Sequence, residues 1–138
     1  MTDVTATQNV SKITITQSLI DEYAAISGDF NPVHVDPAFA AATTFGQTIA
    51  HGCIPMEPIF RLALAHSGLA LMPQGSRMKL RYLRPSHPGD TIGIVVKASR
   101  AGGFDFQCVN QRGEAVIEGV CGMDEDQPST PTQNKGQT

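Results

Sequence analysis

Residues 23–52 read YAAISGDFNPVHVDPAFAAATTFGQTIAHG, and the rest of the chain is organised around them. Within six residues stand an acid (Asp29), an amide (Asn31), a proline (Pro32) and an imidazole (His34). A second acid, Asp36, and a second histidine, His51, follow, the latter directly before Gly52. Ser27-Gly28 and Asn31-Pro32 are turn signals, so the sequence predicts a loop over Asp29–His34 rather than a helix. Ionisable groups crowded onto a loop between apolar segments cost desolvation and add nothing to a core, which marks a functional site.

Upstream, Val10–Thr16 alternates apolar and polar residues and predicts a short strand. Thr16 is placed to cap a helix over Gln17–Ile26, whose Leu19, Ile20, Tyr23, Ala24 and Ile26 form an apolar stripe, and Gly28 ends it. Downstream, Asp36-Pro37 reads as N-cap and first position of a short helix over Ala38–Thr43. Capping is therefore the preferred role of Asp36. After Gly52, CIPMEPIFRLALAHSG is apolar enough for a buried helix, but Pro58 inside it would cost about 3 kcal/mol. We expect a first turn distorted around Met56 and Glu57, with the helix established by Pro58.

Four strands follow, over Gly75–Arg84, Thr91–Ala101, Phe104–Asn110 and Ala115–Met123. Pro85–Asp90 reads as a turn, and Ala101-Gly102-Gly103 and Gln111-Arg112-Gly113 as hairpin turns. Consecutive hairpins predict an antiparallel meander with the helix on one face. Residues 1–9 are polar and expected to be flexible. Residues 124–138 have no apolar anchor and are expected to be disordered. One domain, residues 10–123, remains between them.

With 138 residues, 41% hydrophobic and 17% charged, the chain is an ordinary globular domain able to bury a core. A net charge of −3 without a basic patch argues against nucleic acid as partner. No apolar run suits a bilayer or a signal sequence, so a cytoplasmic protein is expected. Cys53, Cys108 and Cys121 show no paired spacing and read as buried thiols, and no zinc pattern surrounds the histidines.

Ser27-Gly28-Asp29, Asn31-Pro32, His34 and Asp36, then Ala40 and Phe45, then Ile49, His51 and Gly52 resemble the hydratase motif of the MaoC-like family, the (R)-specific enoyl-CoA hydratases. LRYLRPSHPGDT (Leu80–Thr91) resembles that family's strand, proline and Gly-Asp-Thr turn. The likeness runs from about Thr14 to Met123. It implies an α+β hot-dog fold: a curved antiparallel sheet wrapped around a central helix, with an overhanging helical segment carrying the hydratase loop. It also implies interconversion of 2-enoyl and (R)-3-hydroxyacyl thioesters by syn addition or loss of water. Such chemistry needs a base, an acid and donors for an enolate oxygen, and an acid–imidazole pair supplies the first two without metal or cofactor.

The resemblance assigns Asp29 and His34 as the catalytic pair, Asp29 as base toward water and His34 as proton donor, though the two could share these jobs. It assigns the Gly52 amide, at the start of the central helix, to the thioester oxygen. Asn31 is read as fixing the loop more than touching substrate. His51 either lines the site or holds the loop by bonds to backbone, and the second is preferred. Glu57 departs from the family's apolar acyl pocket; it pairs with Arg61 one turn on, or one of the two meets a polar acyl group. Lys79, Arg81 and Arg84 could meet coenzyme A phosphates or an acyl carrier protein, or be a solvated strand face. His66 and His87 sit by turns and are expected to face solvent. Ser27 lacks the surroundings of a nucleophile. The family also implies a homodimer through the sheet edge. Alternatives are a dehydratase for carrier-bound 3-hydroxyacyl groups, a thioester-binding module without turnover, and a thioester hydrolase.

Overall fold

A computed structural model describes residues 12–68 and 71–123; the expectations for residues 1–9 and 124–138 lie outside them. Lys12–Thr14 form β1. Thr16 accepts the Leu19 N–H and caps helix α1 (Gln17–Ser27), which Gly28 closes at φ 81° by donating its N–H to the Ala24 carbonyl. Only glycine takes that left-handed position freely.

The loop predicted over Asp29–His34 holds only as far as Asn31. Asn31 accepts the Val33 N–H and Pro32 stands at the first helical position, so Pro32–Val35 wind into one turn, α2. An Asn cap followed by a proline with pre-set φ favours a helix start over an open loop. Asp36 then caps α3 (Pro37–Ala41) through the N–H groups of Ala38 and Phe39, the predicted role, and the helix stops at Ala41 rather than Thr43.

The central helix begins as foreseen. Ile54–Met56 make a 3-10 turn, and α4 runs over Glu57–Ser67 with Pro58 in its first turn, where no intrahelical N–H bond is needed. Its buried face, Pro58, Ile59, Leu62, Ala63 and His66, packs with Ile92, Phe104, Phe106 and Ile117 of the sheet. His66 is thus buried with its ring edge-on to Phe104, not solvent-facing as expected: position 66 continues the buried stripe at helical spacing.

β2 (Arg77–Tyr82), β3 (Thr91–Arg100), β4 (Gly103–Val109) and β5 (Ala115–Gly122) complete one antiparallel sheet in the order β1-β3-β4-β5-β2. The expected meander holds for β3 to β5. β2 instead pairs with β5 at the far edge, Met78 opposite Cys121 and Leu80 opposite Gly119. Two prolines deny residues 83–90 a tight hairpin. That segment is tied to Val116 by the Leu83 N–H and to Ala50 by the Ser86 carbonyl, and it reaches Ile15 through Gly89 and Asp90 beside β1. Bulges at Val96/Ala98 and Cys108/Val109 add local twist. Among the described residues no helix is long and apolar enough to cross a membrane.

Candidate active site

Asp29 emerges from the end of α1, held by its own turn chemistry. Its N–H donates to the Ser27 hydroxyl, and its Oδ1 accepts the Asn31 N–H. Ser27 and Asn31 therefore shape the backbone, the role the sequence favours for Asn31. Oδ2 is left over, on a side chain 52% exposed, 3.8 Å from His34 Nε2. The His34 ring is oriented from behind. Its Nδ1 lies 2.8 Å from the Ile49 carbonyl, an acceptor, so the hydrogen sits on Nδ1 and Nε2 is the atom offered to Asp29.

The support extends further. Ile49 donates its N–H to the Val33 carbonyl, while Gln17 Nε2 donates to the His34 carbonyl and Gln17 Oε1 accepts the Thr48 hydroxyl. His51 is 3% exposed, and its Nε2 donates to the Asp29 carbonyl at 2.9 Å. Its ring lies between Tyr23, 4.7 Å away, and His34, 4.0 Å away and stacked at 26°. Its Nδ1 is buried without a hydrogen-bond partner among the described residues. Backbone bonding is the role preferred from sequence, and the stack on His34 adds to it.

Each of Asp29, His34 and His51 offers an atom within 4.8 Å of the other two. The two imidazoles are stacked nearly parallel, and each has one nitrogen bonded to a backbone carbonyl.

Gly52 is exposed at the lip of α4's lead-in turn. Its carbonyl accepts the Tyr82 hydroxyl at 2.8 Å, and a Cβ at this position would lie 2.9 Å from that oxygen. Any larger residue here would push the tyrosine ring outward and strain this hydrogen bond. Burial, followed by the nearby Cys53 thiol, raises the Tyr82 phenol above its ordinary range. His34, Phe45, Ile49, Gly52, Tyr82 and Arg84 share an open cleft of about 400 Å³. Arg84 lies 3.4 Å from Glu114.

The other candidates are placed elsewhere. Lys79 and Arg81 point to the opposite face of β2 from Leu80 and Tyr82, exposed, with Arg81 paired to Glu118. Glu57 and Arg61 form the ion pair expected of residues one turn apart, and Glu57 also lines an apolar cavity with Tyr23 and Cys53. Cys53 is exposed, against the expectation of a buried thiol, because the turn after Gly52 faces it outward; Cys108 and Cys121 are buried. His87 is half-buried, its Nδ1 donating to the Thr48 carbonyl, rather than free in solvent. Two contributors are not legible in the sequence. Gln17 looks like an ordinary first-turn residue, and Tyr82 is one aromatic in a strand; the parity it shares with Met78 and Leu80 is its only signal.

The MaoC-like domain family matches residues 4–119. The chain is 59% identical over 83 residues to the (R)-specific enoyl-CoA hydratase of Aeromonas caviae, over 56% of this chain and 57% of that protein. It is 46% identical over 83 residues to 3-hydroxyacyl-thioester dehydratase Z of Mycobacterium tuberculosis, over 58% and 55% respectively. The chain thus spans a little over half the length of these curated relatives. The unliganded R-hydratase PhaJ1 of Pseudomonas aeruginosa superposes on 80% of this chain and 74% of its own, with a TM-score of 0.55 and 30% identity. Its likeness extends to the five-stranded sheet and central helix, the hot-dog arrangement. With most of its length matched and its fold shared with a solved R-hydratase, the chain belongs to the MaoC-like domain family.

Proposed function

We propose that this protein is a hydro-lyase interconverting 2-enoyl and (R)-3-hydroxyacyl thioesters, with coenzyme A as the thiol carrier. The observation that carries the proposal is the 3.8 Å separation of the exposed Asp29 Oδ2 from Nε2 of His34, a residue that lines an open cleft. That is too far for a bond between them and close enough for both to touch one water. In hydration Asp29 takes a proton from this water as its oxygen bonds to the β-carbon. His34, entering the cycle as the imidazolium with its second hydrogen on Nε2, gives that proton to the α-carbon, and Asp29 then returns the proton it took to Nε2, restoring both groups. Both transfers start from atoms on one side of the substrate, so addition is syn. The Gly52 amide receives the enolate oxygen, and Tyr82 pins the peptide that follows it.

The names of the curated relatives, a hydratase and a dehydratase, support the two directions of this reaction. Dehydration of carrier-bound 3-hydroxyacyl groups would use the same residues and is separated by comparing kcat/KM on coenzyme A and carrier-protein thioesters. We further propose a homodimer in the cytoplasm. Support comes from β2, which has a sheet neighbour on one side only, from exposed Phe30, Phe39 and Phe45, and from three free thiols.

The decisive experiment follows the conjugated enoyl absorbance of crotonyl-CoA with wild type, Asp29→Asn and His34→Ala. Each variant should lose about 10²–10⁴-fold in kcat/KM with its fold intact. Undiminished hydration by Asp29→Asn, or a wild type inert on every enoyl thioester offered, would overturn the assignment.

A further inference from the structure

The turn that carries His34 is one that packing alone cannot place. α2 is a single turn, and none of its four residues is fully buried. A helix this short has little stability of its own and takes its position from what it is tied to. Three side-chain hydrogen bonds tie it in a closed circuit. His34 Nδ1–H donates to the Ile49 carbonyl at 2.8 Å. Thr48, the residue before Ile49, donates its hydroxyl to Gln17 Oε1 at 2.7 Å. Gln17 Nε2 then donates to the His34 carbonyl at 2.9 Å, which closes the ring of contacts.

Each bond settles the next. The Thr48 hydroxyl fixes which end of the Gln17 amide is oxygen, and the amide nitrogen spends its two hydrogens on the His34 carbonyl and on Asp21 Oδ1, 2.9 Å away. Thr48 is 4% exposed, and its segment is anchored from the other side. His87 Nδ1 donates to the Thr48 carbonyl, and the Ala50 N–H donates to the Ser86 carbonyl. Residues 48–50 are therefore a frame to which Ile49 ties the His34 ring and Gln17 ties the His34 backbone. Asp29 stands outside the circuit, held by Ser27, Asn31 and His51. Loosening Gln17 thus moves one member of the pair relative to the other. From this circuit we infer that Gln17 is a positioning residue: it sets where His34 Nε2 stands against Asp29 Oδ2, from outside the cleft and without touching substrate. The inference rests on the thioester reading above.

The test follows kcat and KM for crotonyl-CoA in wild type, Gln17→Met, Thr48→Val and Thr48→Ser. Gln17→Met keeps the length of the side chain and removes its bonds to Asp21, His34 and Thr48. Thr48→Val keeps the shape of Thr48 and removes only the hydroxyl. Both should lower kcat about tenfold or more and leave KM within about twofold, the pattern of a misaligned proton donor in a site that still binds. Thr48→Ser gives up a buried methyl but keeps the hydroxyl, and its kcat should stay within about threefold of wild type. Wild-type kcat in Gln17→Met, a loss taken up in KM instead, or Thr48→Ser falling as far as Thr48→Val overturns the inference and leaves the hydratase intact. If Gln17→Met does not fold, the two Thr48 variants decide. If wild type turns over no enoyl thioester, the hydratase reading fails instead, and the circuit is judged by nitrogen NMR of the histidine rings in alkaline buffer. Neutral His34 should then keep its hydrogen on Nδ1 in wild type and share it with Nε2 in Gln17→Met and Thr48→Val; identical spectra overturn the inference.

Discussion

The imidazole of His51 lies flat against that of His34, 4.0 Å between ring centres and 26° between planes, while its Nε2 donates to the carbonyl of Asp29. One buried side chain therefore positions both members of the proposed catalytic pair: one by ring contact, the other through its backbone.

Removing that support should misplace the pair before it unfolds the protein. His51→Phe keeps a ring against His34 but loses the bond to Asp29, and kcat/KM on crotonyl-CoA should fall about tenfold to a hundredfold. His51→Ala should fall further and also lose about 1–3 kcal/mol of stability in urea titration. Full turnover by His51→Ala would show that the ring holds nothing the reaction uses.

The contact of Tyr82 with Gly52 is open to a double-mutant cycle. Gly52→Ala drives a methyl to 2.9 Å from the tyrosine oxygen, and Tyr82→Phe removes that oxygen together with its hydrogen bond. Each single change should lower kcat/KM. The pair should do less harm than the sum, by about 0.5–3 kcal/mol of coupling, because phenylalanine relieves the clash. Strict additivity would separate the two sites.

Gly119 permits the edge strand to dock. A Cβ there would collide with the Lys79 carbonyl oxygen and stand 2.9 Å from Leu80 Cβ, backbone and near-backbone atoms with little freedom to yield. Gly119→Ala should cost about 1–3 kcal/mol in urea unfolding. It should also raise hydrogen exchange in Arg77–Tyr82 before the other strands. An unchanged midpoint would contradict the pairing of Leu80 with Gly119 across β2 and β5.

Thiol chemistry should divide along burial. Desolvation pushes the Cys108 thiol up to about 12 and Cys121 to about 11, from an ordinary value of 9.0. Exposed Cys53 should react with a thiol reagent in the native protein, and the two buried cysteines only after unfolding. The sign of the linkage follows from the same shifts. Below pH 9 both states keep these thiols protonated and the contribution is complete. As pH rises from 9 through 11 to 12, the unfolded chain ionises first and stability falls. Urea midpoints at pH 8 and about pH 10.5 check it: the second should be lower, and Cys108→Ala should narrow the gap.

Sedimentation equilibrium tests the dimer, with a species of twice the 14.7 kDa chain mass expected at micromolar concentration. A monomer there would leave the exposed Phe30, Phe39 and Phe45 without the covering that a dimer supplies.

What the chain could announce by itself was what its neighbours in sequence enforce. Thr16 and Gly28 bound α1, and Asp36-Pro37 starts α3. The proline-bearing first turn of α4 and the glycine turns at 102 and 113 were legible because each acts over three or four residues. The closeness of the pair proposed as catalytic was legible too, since Asp29 and His34 sit five residues apart on one bend. The one-turn helix at Pro32 escaped only because a turn signal and a helix start use the same Asn-Pro pair. Tertiary structure alone decided the contacts made across long stretches of chain. β2 crosses to β5, where Met78 and Leu80 pack against the core opposite Cys121 and Gly119. Tyr82 reaches Gly52 over 30 residues, Gln17 reaches Thr48 over 31, and His51 folds back over 22 to hold Asp29. Such partners are selected by burial and shape in the assembled core, and no local preference of the backbone encodes them.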